Sequence, residues 1–99
     1  MYIPKPIDTS HIELPENLLA LTERIAENVH EVWSQSRIAD GWIWGEHRDD
    51  AKKQTPCLVP YDELPQEERE YDRKTALNTL RLVIALGYTI QKETSDTEK

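Results

Sequence analysis

The chain has 99 residues, a formal net charge of −7, and a single cysteine among three tryptophans, four tyrosines and no phenylalanine. That length suits one small domain, and the acidic balance opposes bulk electrostatic binding to a nucleic-acid backbone, leaving only a local basic patch for a small anion. No apolar run approaches the ~20 residues that cross a bilayer, and one cysteine excludes an intramolecular disulfide, so the sequence reads as a soluble cytoplasmic protein.

Taken in order, residues 1–13 hold Pro4 and Pro6 beside Ile3 and Ile7, which predicts an extended arm lying against the body. Asp8-Thr9-Ser10 supplies turn formers. The first helix is predicted to begin near Pro15, with Leu18, Leu21, Ile25, Val29 and Val32 forming a core-facing stripe. Trp33 falls roughly 80° from Ile25, at the edge of that stripe, and His30 and Arg37 lie further round.

Asp40-Gly41 predicts the helix stop. A short strand follows at 42–44, with Trp42 and Trp44 on one face and Ile43 on the other. Residues 45–56 are polar and predict a loop. Cys57-Leu58-Val59, between Pro56 and Pro60, predicts buried but irregular backbone.

Glu63-Leu64-Pro65 repeats the helix-start chemistry of Glu13-Leu14-Pro15. Residues 66–73 are nearly all charged and suggest a short helix ahead of a stronger one from Asp72, with Ala76, Leu77, Leu80, Val83 and Ile84 as its stripe. Leu82 and Leu86 fall outside that stripe, which calls for a second covering surface. Gly87 predicts the stop, and Tyr88-Thr89-Ile90 a strand able to pair with 42–44. Residues 92–99 are polar and predict a disordered tail.

All three tryptophans lie between Asn28 and Gly45, and on a helix His30, Trp33 and Arg37 are near neighbours. They read either as an aromatic platform with an anion-binding guanidinium or as structure, with Trp33 capping the core, His30 bonding a backbone carbonyl and Arg37 paired to an acid. Arg48 is a candidate anion contact, while Asp49 and Asp50 offset its neighbours Lys52 and Lys53. His11, His30, His47 and Cys57 show no metal-ligand spacing. Cys57 has no visible base, and no Gly-rich phosphate loop is present. The expectation is a non-enzyme without cofactor or metal.

The ordered set Pro-x-Pro-Ile-Asp-Thr-Ser (4–10), Ala-Glu-Asn-Val-His-Glu-Val-Trp (26–33), Arg-Ile-x-x-Gly-Trp-x-x-Gly (37–45), Arg-Asp-Asp (48–50), Pro-Cys-Leu-Val-Pro-Tyr (56–61) and Leu-Gly-Tyr (86–88) resembles the ryanodine-receptor repeat. That module occurs as tandem pairs in the cytoplasmic part of animal calcium-release channels and alone in some bacterial proteins. The resemblance spans about residues 2–91. It implies a mainly α fold, a small helical domain with short β-strands and one repeat over 1–91. It also implies a non-catalytic regulatory or sensing role. Nucleotide binding attributed to a channel tandem pair implicates Trp33, with Asn28, His30 and Arg37 as neighbours; Trp42 and Arg48 complete the candidate set. Two function classes follow. One is a module that binds a nucleotide or nucleotide derivative near Trp33, as a symmetric homodimer mimicking a tandem repeat. The other is a purely structural protein–protein interaction module. Neither involves nucleic acid or a membrane.

Overall fold

Two helices carry the architecture. A computed structural model describes residues 1–93. It contains α1 (Glu16–Ala39), β1 (Ile43–Trp44), β2 (Gln54–Thr55), a 3₁₀ turn (Tyr61–Glu63) and α2 (Gln66–Ala85). The fold is mainly α with one short two-stranded sheet, as expected. Both helices start at a proline. Pro15 and Pro65 sit one residue outside, as N-caps, and their carbonyls accept the first helical N–H groups. The described residues include no helix long and apolar enough to cross a membrane.

Both helices also stop in the same way. Gly41 and Gly87 take φ of +93° and +99°, a conformation that L side chains resist. Gly41 N–H donates to the Ile38 carbonyl and Trp42 N–H to the Arg37 carbonyl, at 3.0 and 2.9 Å. The pair Gly87 to Ile84 and Tyr88 to Val83 repeats the pattern at 3.0 and 3.2 Å. These are Schellman closures. The second one overturns an expectation: Tyr88 spends its N–H on the helix end, and residues 88–90 form no strand.

β1 pairs instead with β2, in parallel, with Ile43 opposite Gln54 and Trp44 opposite Thr55. The predicted loop over 45–56 therefore contains a strand. Its return is set by Lys53, whose φ is 56° and whose Nζ donates to the Asp40 carbonyl at the end of α1, at 2.9 Å. Asp49 and Gln54 exchange two backbone hydrogen bonds of 2.9 Å, which cinches the loop. Two-residue strands carry no periodicity, so sequence pattern alone cannot find them.

Gly45 shows how tight this corner is. A Cβ there would lie 2.7 Å from the Gln54 Cβ. Gly45→Ala is therefore expected to force β1 from β2 and to cost ~1–3 kcal/mol of stability. Urea denaturation checks this, and a midpoint equal to wild type would contradict it.

α2 runs unbroken over the segment where two helices were suggested. No Pro or Gly interrupts 66–85, Gln66 Nε2 donates to Glu70 Oε2 one turn on at 3.1 Å, and Glu67 and Glu68 complement the helix dipole. α1 and α2 pack on each other. Arg73 of α2 forms a two-pronged ion pair with Glu23 of α1, and the Tyr61 hydroxyl donates to the same carboxylate. That hydrogen bonding, from Arg73 first, holds the Glu23 carboxyl below the usual range.

The face that α1 buries differs from the predicted stripe. Leu18, Ala26 and His30 are buried, and Ala26 joins Tyr61 and Leu64 with Cys57 and Val59 packed on them. Leu21, Val29 and Val32 are exposed. Leu82 lines a cavity with Asn78, Arg81 and the arm residues 5–10, and Leu86 caps the end of α2 in solvent. In the arm, the Asp8 carboxylate accepts from the Ser10 N–H and hydroxyl at 2.9 and 2.7 Å. Of the tail predicted over 92–99, residues 94–99 lie outside the described residues.

Candidate functional site

The C-terminal half of α1 stacks its side chains into a ladder. The His30 and Trp33 rings lie 5.7 Å apart at 23°. The Arg37 guanidinium carbon lies 5.6 Å from the Trp33 ring centre and 5.0 Å from that of Trp42, and Arg48 lies 5.5 Å over Trp42. Helix spacing builds the first part, since His30 lies one turn before Trp33 and Arg37 one turn after. The Schellman closure builds the second. It folds the chain back so that the residue after Gly41 lands on the last turn of the helix, where an apolar contact usually forms. Here Trp42 meets Arg37. Trp44, on β1, stays exposed and outside the ladder, so the two tryptophans expected on one face differ in surroundings.

His30 is almost wholly buried. Its Nε2 lies 2.7 Å from the Val59 carbonyl, which accepts only, so the ring nitrogen donates there. Its ring also lies 6.2 Å from that of Tyr61, tilted. The backbone-carbonyl role is thus the one His30 plays. Arg37 does not pair with an acid. Although close to two indoles, its guanidinium has no hydrogen-bond or ion-pair partner among the described residues. Arg48 pairs with Asp50, Nε to Oδ1, at 2.7 Å, and this holds the Asp50 carboxyl below its usual range.

Beside the ladder lies a partly enclosed cavity of about 470 Å³. α1 contributes Val29, His30, Trp33 and Arg37, the loop Arg48, β2 Thr55, and the following segment Cys57 and Leu64. α2 contributes Glu68, Tyr71, Asp72 and Thr75. Of the candidate residues, His30, Trp33, Arg37 and Arg48 line the cavity, and Trp42 backs Arg37 from behind. Asn28 does not line it; it borders a separate groove with Leu21, Arg24 and Ile25. Sequence reasoning missed the α2 wall. Glu68, Asp72 and Thr75 recur at four and three, a single helix face, a signal visible only once 66–85 is read as one helix.

The cavity has mixed chemistry. Burial, then the Glu68 carboxylate, pushes the Cys57 thiol up, which keeps it protonated and a poor nucleophile. No group of three His, Cys, Asp or Glu able to hold a metal occurs among the described residues. Burial also pushes the Asp72 carboxyl up, with His30 acting the other way. A carboxyl raised in the folded state contributes stability that is full at low pH and is lost as pH rises through its folded value. Asp72→Asn is therefore expected to raise Tm by a few degrees at pH 7 and to leave it unchanged near pH 3, in melts at both pH values. A lower Tm at pH 7 would contradict that.

Residues 2–92, which carry the ladder and every wall of the cavity, match the family model described as the RyR domain. The chain belongs to the RyR domain family. The match takes in the arm as well as both helices, so the whole described fold is one RyR domain to within a residue or two of its ends. Within this RyR domain the ladder is a local product of one helix and its closure, whereas the cavity needs α1, the sheet and α2 together.

Proposed function

We propose that this RyR domain is a non-catalytic, cytoplasmic sensing module that binds a nucleotide or nucleotide derivative in the cavity beside Trp33. One observation carries this: the Arg37 guanidinium carbon lies 5.6 and 5.0 Å from the Trp33 and Trp42 ring centres, its N–H donors have no partner among the described residues, and it stands on the wall of a cavity. A guanidinium so placed is a fork for phosphate, and Arg48, ion-paired to Asp50, stands on the same cavity. The base has a different seat from the one first expected. His30 and Arg37 already lie 5.7 and 5.6 Å from the Trp33 ring centre, and the exposed aromatic side chain on the cavity wall is Tyr71. Stacking there supplies ~1–3 kcal/mol. Glu68 and Asp72 accept hydrogen bonds from an exocyclic amine or ring N–H. The proposed contacts are therefore Arg37, Arg48, Tyr71, Glu68 and Asp72, with His30, Trp33 and Trp42 positioning them.

A thermal-shift screen against nucleoside phosphates tests this. A ligand at about 100 times its Kd adds ~2.7 kcal/mol to native stability, a rise of roughly 10–20 °C for a domain this size. A flat response to every nucleotide would sink the proposal. The alternative, a purely structural interaction module with no small-molecule ligand, is favoured by a specific observation of its own, the apolar stripe that α1 leaves exposed. That stripe also supports assembly as a homodimer.

A further inference from the structure

α1 is apolar on two faces, and the fold covers only one. Ala26, His30, Trp33 and Arg37 turn toward the rest of the domain, while Leu21, Val29 and Val32 remain 36%, 39% and 55% exposed. The uncovered residues follow a heptad. Val32 and the half-buried Ile25 fall at a, Leu21 and Asn28 at d, Val29 at e, and Arg24 and Glu31 at g, while Leu18, one heptad before Ile25, is buried in the domain's own core. Neither Arg24 nor Glu31 has an ion-pair or hydrogen-bond partner among the described residues.

We propose that this face of α1 is a seam for a second copy of the same chain, paired antiparallel about a two-fold axis. In that arrangement Leu21 lies opposite Val32 of the second copy, and Ile25 lies opposite Asn28. The g positions of antiparallel helices meet each other, so Arg24 meets Glu31 of the second copy and Glu31 meets its Arg24. A surface that satisfies both of its charges with its own copy is what an isologous interface requires. A parallel pairing would set Arg24 against Val29 and leave both charges unused. Val29 belongs to the seam and to the rim of the Trp33 cavity, so the second copy lies at one edge of the ligand site. Trp33 itself sits on the other face of α1, and the two indoles do not meet across the axis.

This gives the homodimer proposed above its surface, and it stands independently of any ligand. Light scattering across the micromolar range is expected to return a dimer mass for the wild type and a monomer mass for Val32→Asp with unchanged helical circular dichroism. Arg24→Glu and Glu31→Arg should each weaken the dimer ~10-fold, since each reversal sets two like charges together in place of two opposite ones. An equimolar mixture of these two variants should dimerise again, because every pair across the mixed seam is then of opposite sign. A wild type that stays monomeric throughout overturns both the seam and the homodimer. A wild-type dimer indifferent to Val32→Asp and to both reversals overturns the seam and leaves the homodimer standing on another surface. Nucleotide binding is decided by the separate screen in either case.

Discussion

His30→Ala is expected to lower stability by ~2–4 kcal/mol. Three effects act together. The Val59 carbonyl, 2.7 Å from Nε2, loses its donor in a half-buried segment. The ring of a side chain only 4% exposed leaves a cavity. Trp33 and Tyr61 lose the surface that spaces them, at 5.7 and 6.2 Å from the imidazole. For a domain near 100 residues that loss lowers Tm by roughly 10–20 °C. Thermal and urea denaturation measure it. A loss below ~1 kcal/mol would mean that the bond to Val59 contributes little. His30 thus has a structural reason to be where it is, and weaker ligand binding by this variant alone would say nothing about direct contact.

Arg37→Ala is the opposite case. The side chain is half-buried and makes no hydrogen bond among the described residues, so its removal forfeits only two cation–π contacts, worth ~0.5–1 kcal/mol each. The fold survives. Loss of charge-assisted hydrogen bonds to an anion costs ~1.5–3 kcal/mol, which weakens a nucleotide by roughly 10–100-fold. Arg37→Lys should recover little of this, because an ammonium cannot present two parallel donors in a planar fork. Calorimetry on the folded variants, against the nucleotide with the largest thermal shift, reads both numbers. Unchanged affinity in Arg37→Ala would remove this residue from the site.

The helices were legible because their ends are written in residue chemistry. Pro15, Pro65, Gly41 and Gly87 each sit where a helix must start or stop. What periodicity could not tell was which apolar face meets the body. Leu21, Ile25, Val29 and Val32 make the stronger stripe, but α1 buries the one with Ala26 and His30, where a small residue and a hydrogen-bonding ring fit the 57–64 segment. Tyr88 looked like a strand residue because Gly87 precedes it, yet its N–H closes α2. The α1 half of the candidate site was readable from His30, Trp33 and Arg37, which are local to one helix. The α2 half was not, since Glu68, Tyr71 and Asp72 reach the cavity only through the packing of two helices.

The three tryptophans provide the most direct measurement. Each indole N–H gives its own signal in a proton–nitrogen correlation spectrum. Trp33 and Trp42 lie close to Arg37, while Trp44 sits on the exposed strand outside the ladder. Titration with the nucleotide that most raises Tm is expected to shift the Trp33 and Trp42 indole signals together, on one binding curve, and to leave Trp44 in place. Saturable binding that moves Trp44 alone, or that moves none of the three, would place the ligand elsewhere and contradict a nucleotide site at the Arg37 guanidinium.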